Sequence, residues 1–215
     1  LYVFRGSGQK SMRAENAITP NTWQHFSVTI TPSGVATIYK NGIQIRQGTS
    51  NDWRPRNVER SSNYVGYTSW TENRLFQGQM ADLGVWNRAI SADEVRSAYT
   101  SGLQGNESGL VQLYPLGNLQ TGGGNSKGEN VTGEVKPVIS TTDALPIQRP
   151  MGFDGRTNYV ILPSTGLNNF TSGFSASVWA YTSSAANWAK YFDFGNGAAS
   201  DNILLTRVGT SNDLA

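Results

Sequence analysis

Residues 21–46 read NTWQHFSVTITPSGVATIYKNGIQIR, and this stretch decides the fold. Phe26, Val28 and Ile30 alternate with His25, Ser27 and Thr29, the period of a half-buried strand. Thr31-Pro32-Ser33-Gly34 supplies a turn, with Pro fixing φ and Gly free to take a positive one. Residues 35–40 make a second strand, and Asn41-Gly42 is a strong hairpin signal. A two-residue loop there pairs Lys40 with Ile43, Tyr39 with Gln44 and Ile38 with Ile45. Ile38, Ile43 and Ile45 then share an apolar face with Ala36, while Thr37, Tyr39, Gln44 and Arg46 share a polar one. Lys40 falls on the apolar side, but beside the turn, where its amine reaches water. The expectation is an antiparallel meander laid over a core.

Working outward, 215 residues suit one large β-sandwich or two small domains. The 24 Gly, the abundance of Ser, Thr and Asn, and the 11% aromatic content fit many short strands joined by turns. Further strands are expected at 1–4, 11–18, from 64, as a short pair within 76–87, and at 110–116, 135–139, 159–162, 174–181, 188–194 and 202–206. Residues 6–9 read as a turn, 47–62 and 69–74 as polar loops, and 121–133 as a Gly-rich stretch. One helix has full start signals: Ser91 as N-cap, Glu94 closing a capping box, and Ile90 with Val95 as a hydrophobic staple. Val95, Ala98 and Tyr99 lie on one side and Gly102 stops it. A helix that short must pack on the sandwich to be stable.

A net charge of +2 is too small to call for a nucleic-acid partner or a membrane surface. No apolar run approaches the roughly 18 residues of a membrane span, and no signal peptide is evident. The absence of Cys excludes disulfides and thiolate metal sites and is compatible with an extracellular setting. The first residue is Leu, which suggests a processed chain or a piece of a longer one.

The pattern W-x-H-x-x-V-T-x(6)-A-T-x-Y-x-N-G in the central meander resembles the middle of laminin-G-like domains of the concanavalin-A-like superfamily. Further matching stretches are NYVG (63–66), FQGQMADLGVWNRAISADEVRSAY (76–99), FDGRTNYVILP (153–163), TSGFSASVW (171–179) and YFDFGNGAASDNILL (191–205). The resemblance implies an all-β, antiparallel jelly-roll sandwich with one short helix; the expectation is an extracellular chain, and not an enzyme for want of an acidic catalytic strand. It also implies an unusual order. In the family, stretches like those at 109–215 come first, and the W-x-H meander and helix close the domain. Here residues 1–104 are the closing half, 105–108 a linker and 109–215 the opening half. Joining Ala215 to Leu1 gives DNILLTRVGTSNDLALYVFRGSG, which runs smoothly as strand, turn, strand. Three readings follow: one repeat of a longer array cut out of phase, a circular permutant, or a head-to-tail polymer in which each half completes a neighbour. All three demand completion, because half a sandwich exposes strand edges and an apolar face.

The lone histidine, His25, has no nucleophile or carboxylate placed beside it by the sequence and reads as structural. No strand carries the alternating acidic residues of a glycosidase, and Asp93 and Glu94 suit a helix N-terminus. Asp193, Asn196, Asp201 and Asn202 form the densest group of hard oxygen ligands and are candidates for calcium, with Asp154 as a further ligand. Equally, an Asx-rich hairpin loop explains them. Laminin-G-like relatives often bind calcium at a loop rim. Trp86 and Trp179 read as core, Trp23 as packed and Trp188 as ambiguous. Trp53 and Trp70 stand in polar loops; with Arg54 and Arg56 they form a candidate glycan-binding set, or else they cap the sandwich edge. Asn106, Asn130 and Asn169 head glycosylation sequons. The leading function is a repeat module of a surface adhesin or filament, adhesive between neighbouring copies and towards glycans. The alternative is a carbohydrate-binding accessory module of a secreted polysaccharide-degrading enzyme.

Overall fold

The structure is a computed structural model and describes residues 1–5, 8–70, 75–116 and 150–215. The Gly-rich stretch 121–133, the expected strand 135–139 and Asn130 lie outside the described residues, as do parts of the expected turn 6–9 and loop 69–74. In chain order the strands are β1 (Tyr2–Arg5), β2 (Gly8–Ser11), β3 (Trp23–Ile30), β4 (Val35–Lys40), β5 (Ile43–Thr49), β6 (Ser62–Val65) and β7 (Gln77–Trp86). The helix α1 (Ala92–Ser101) follows, then β8 (Leu110–Tyr114), β9 (Met151–Asp154), β10 (Val160–Leu162), β11 (Phe174–Thr182), β12 (Lys190–Gly195) and β13 (Ile203–Thr206).

These strands form two antiparallel sheets, a concanavalin-A-like β-sandwich. One sheet runs β10-β6-β12-β13-β1-β2 and the other β5-β4-β3-β11-β7-β8, with β9 also paired to β7. Residues 1–104 and 109–215 both contribute to each sheet. In the second sheet β11 lies between β3 and β7, with eight register pairs to β3 alone, from Phe174↔Ile30 to Tyr181↔Trp23. Between the sheets sits one apolar core, which takes Phe26, Val28 and Ile30 from β3, Ala176 and Val178 from β11, and Phe192 and Phe194 from β12.

The meander forms as expected at the turn and departs from expectation further along. Lys40 pairs with Ile43 and Tyr39 with Gln44, but a bulge then sets Ile38 opposite Arg46 rather than Ile45. Ile45, the extra residue of the bulge, is 37% exposed, and Ile43, although paired as expected, is 66% exposed on an edge strand that the core does not reach. Nor is β3 half-buried. Its second face, with His25, Ser27 and Thr29, is covered as fully as its first. Trp179 and Tyr99 stack near the His25 ring at 5.2 and 6.1 Å, so the helix side of this sheet is a second apolar layer. There Tyr39, Trp86, Ile90 and Val95 form their own cluster.

The expected short pair within 76–87 is a single ten-residue strand, β7. Asp82 takes a positive φ of 49°, and the pairing to β11 slips between Ser177 and Trp179. This irregularity reads in sequence as a break, but the chain passes through it still hydrogen-bonded. Similarly, the expected strand 11–18 is replaced by β2, which begins at Gly8.

The start of α1 follows its sequence signals. Ser91 Oγ accepts from Glu94 N–H at 3.2 Å, and the Glu94 carboxylate accepts from Ser91 N–H at 2.7 Å. Arg88 pairs with the same carboxylate, and chiefly this bond holds the Glu94 pKa down at about 2. Ile90 and Val95 pack together as the staple, and Gly102 ends the helix at a φ of 71°. Ser91→Ala removes one cap bond and is expected to lower stability by about 1 kcal/mol, measured by urea unfolding.

Candidate functional site

Side-chain alternation on adjacent strands builds a surface on the outer face of the six-stranded sheet. In β1, Val3 points into the core, which leaves Tyr2 and Phe4 outside. In β13, Ile203 and Leu205 point inward, leaving Leu204 and Thr206 outside. Register then aligns a row across the sheet: Tyr64 opposite Asp193, Asp193 opposite Leu204, and Leu204 opposite Tyr2. At roughly 4.8 Å per strand, those four positions span about 14 Å.

At one end of the row lies a recess of about 230 Å³. Four aromatic rings frame it. Trp70 packs on Phe4 with centroids 5.3 Å apart, and Trp188 meets Tyr2 edge-on at 6.2 Å. Its polar lining is Gln9, Thr206 and Lys190, whose Nζ donates to the Trp188 carbonyl at 2.9 Å and lies 5.8 Å from that indole ring. The recess is smaller than the roughly 300–1,000 Å³ of enclosed small-molecule pockets, and it is open to solvent. Aromatic faces flanked by a few hydrogen-bonding groups suit the ring of a sugar, which is apolar on its C–H face and polar at its rim. At the other end of the row, Tyr64, Tyr67 and Tyr159 form a second aromatic group, with Tyr67 and Tyr159 stacked at 4.4 Å.

Between these groups, Asp193 is fully buried under the loop that leads to Trp70. Its carboxylate accepts from Thr68 Oγ1 at 2.6 Å and Asn202 Nδ2 at 2.8 Å. Burial pushes its pKa up to about 6 against those two hydrogen bonds and the Lys190 charge.

The structure separates the residues of the expected glycan set. Trp70 joins the recess. Trp53 is 5% exposed, and its six-membered ring lies where a Cβ on Gly48 would stand, at 2.6 Å, so neither ring face is open. Arg54 donates to Asn51 Oδ1 at 3.0 Å and to the Pro32 carbonyl at 3.4 Å, closing its own loop. Arg56 pairs with Asp201 at 3.2 Å and lines a neighbouring recess with Arg5, Asp52 and Gln9. Tyr2, Phe4 and Trp188 were not in the expected set. The signal for Tyr2 and Phe4 was their alternation about Val3, whereas Trp188 read as ambiguous.

The expected calcium ligands do not form one oxygen cage. Asp193 and Asn202 are bonded to each other. Asn196 is spent on the 59–61 segment, its Oδ1 accepting from Ser61 N–H at 2.9 Å and its Nδ2 donating to the Glu59 carbonyl at 2.7 Å. Asp201 already faces the Arg56 guanidinium. Among the described residues no group of three or more His, Asp or Glu is arranged to hold a metal ion. Asp154 accepts from the N–H groups of Arg156 and Thr157, both at 2.8 Å, in an Asx turn. Although burial pushes its pKa up, bonds from Thr157, Arg156 and Asn158 bring it well below the usual carboxylate range.

His25 is buried against Trp179, and burial takes its pKa down to about 3, leaving the ring neutral. Ser27 Oγ lies 3.4 Å from its Nδ1. Of the sequons, Asn106 and Asn169 are exposed, and Asn169 Oδ1 accepts from the Thr171 hydroxyl at 3.0 Å. No helix among the described residues is long and apolar enough to cross a membrane.

Compared with known proteins, residues 2–96 match the laminin-G family model described as the Concanavalin A-like lectin/glucanases superfamily. The match takes in β1 to β7 and the first half of α1. Neither a curated protein nor a solved structure matched the chain.

Proposed function

We propose that this chain, a concanavalin-A-like sandwich whose residues 2–96 carry the superfamily pattern, is a non-catalytic extracellular module of a surface adhesin or filament that binds glycans on the outer face of its six-stranded sheet. The recess where Trp70 and Phe4 meet Trp188 and Tyr2 carries this reading. It offers aromatic surface for a sugar ring, with the exposed Gln9 as a hydrogen-bonding neighbour. Of the titratable side chains described, the buried His25 faces aromatic rings, and Asp193 is held by Thr68 and Asn202 beneath the face; this supports binding over catalysis.

A glycan array followed by calorimetric titration tests this. Binding of at least one glycan class is expected, weakened tenfold or more by Trp70→Ala or Trp188→Ala, a loss of about 1.4 kcal/mol each. Unchanged affinity in both variants, or no binding to any glycan, would overturn the reading. The alternative, an accessory module of a polysaccharide-degrading enzyme, uses the same face and separates by ligand. Long plant or microbial polysaccharides would bind in preference to short terminal glycans.

A further inference from the structure

Two strand edges of the sandwich flank one groove. β2 stands at the end of the six-stranded sheet and β5 at the end of the other. The groove, about 690 Å³ in volume and open to solvent, is lined by residues 10–15 on the β2 side, by 45–49 on the β5 side and by Trp53.

Alternation in an antiparallel ladder decides which backbone groups reach an open edge. Met12 exchanges both backbone hydrogen bonds with Leu1, each at 2.9 Å, and Ala14 exchanges both with Leu214, at 2.8 and 3.0 Å. Ser11 and Arg13 therefore turn their N–H and C=O groups to the free side, where no hydrogen bond meets them among the described residues. On β5, Ser50 donates to the Gly34 carbonyl at 2.9 Å and Gly48 faces Ala36, so Gln47 and Thr49 are the residues turned to the free side.

The side chains add a sign. Lys10 pairs with Val3 on β1, and Arg46 pairs with Ile38 on β4. Val3 and Ile38 belong to the core, and directly paired residues share a face. Lys10 and Arg46 thus stand on the inner faces of the two sheets, where the sandwich opens. Both are exposed, and neither makes an ion pair or a side-chain hydrogen bond among the described residues. Arg13 is held by Asp213, and Glu15 is the one acidic side chain in the lining. Ile45, the extra residue of the bulge, adds an exposed apolar contact.

We propose that this groove takes an extended acidic segment of another polypeptide, added as a strand along the free edge of β2 with its carboxylates turned inward to Lys10 and Arg46. Edge addition supplies main-chain hydrogen bonds at Ser11 and Arg13, while alternate side chains are read by the walls. Cations on edge strands discourage pairing between copies, because a second copy would set Lys10 and Arg46 against like charges. An acidic strand neutralises them instead. The inference rests on strand edges and charge, and it stands apart from the glycan reading.

An array of peptides of roughly ten residues tests it, with Glu at every second position and Val, Thr, Leu or Tyr between, beside the same array carrying Lys for Glu. Binding of Glu peptides and not of Lys peptides is expected. In fluorescence anisotropy the tightest binder should lose at least tenfold in affinity against Lys10→Glu or Arg46→Glu, both at exposed positions outside the core. Methylating its backbone nitrogens at alternate residues removes the donors of one peptide edge. One of the two alternating sets should also cost at least tenfold. No binding of either array, equal binding of the Lys array, or unchanged affinity with both methylated sets would overturn the proposal. So would a dimer of the chain alone in sedimentation that Arg46→Glu dissolves, since it would assign the groove to a second copy.

Discussion

Arg60→Ala is expected to lower stability by about 3–5 kcal/mol in urea unfolding, the largest loss from any single side chain considered. Arg60 is 1% exposed, and its guanidinium donates to four backbone carbonyls. Leu167 O lies at 2.9 Å, Asp201 O and Arg56 O at 3.0 Å and Val58 O at 3.3 Å. It also lies 5.1 Å from the centre of the Phe170 ring. Two of the four acceptors belong to residues 109–215, so this side chain ties the halves together. Burial takes its pKa down to about 10, with Asp201 opposing, and it remains charged at neutral pH. Truncation leaves acceptors in the interior without their donor, which costs more than the bonds themselves contribute. Arg60→Lys should recover little, since an ammonium cannot reproduce the planar fork. A loss below 1 kcal/mol for the Ala variant would show that the clasp is incidental.

The second large effect concerns pH, where two buried groups act in opposite directions. The folded-state pKa of His25 is depressed to about 3 from an unfolded value of 6.5. Its contribution is present above pH 6.5 and is lost as pH falls towards 3, because the unfolded chain takes up a proton that the folded one refuses. By pH 4 this amounts to about 3 kcal/mol. For Asp193 the folded pKa is raised to about 6 from 3.8. Its penalty is full above pH 6 and is relieved between pH 6 and 4, returning about 2 kcal/mol. In the parent protein these two effects largely offset each other, which leaves the loss at the depressed carboxylates of Glu94 and Asp154 as the main change on approaching pH 4. His25→Gln should become more stable on acidification, and Asp193→Asn should lose stability more steeply than the parent. Parallel curves for all three in pH-resolved denaturation would contradict these burial assignments.

Local grammar made much of the fold legible. Ser91 and Glu94 marked the helix start, and Asn41-Gly42 fixed the first two pairs of its hairpin. What escaped depends on partners remote in sequence. The bulge that turns Ile45 outward answers to strand twist and pairing on β4, which alternation alone does not encode. The second buried face of β3 exists because α1 and Trp179 are brought over it by the chain's later course. Both Trp53 and Trp70 sit in polar stretches, yet only Trp53 has a glycine, Gly48, against which its ring can bury. The recess was hidden for the same reason. Its rings come from positions 2, 4, 70 and 188, which become neighbours only once β1 is seated on β13.

The central claim is that one sheet face, assembled from both parts of the chain, is the glycan surface. Amide and indole NMR shifts during titration with a bound sugar test it most directly. The account predicts that Tyr2, Phe4 and Trp70 shift together with Trp188, Leu204 and Thr206, along one saturation curve. Shifts confined to one part of the chain, or to the loops around Trp53 and Asn196, would contradict it.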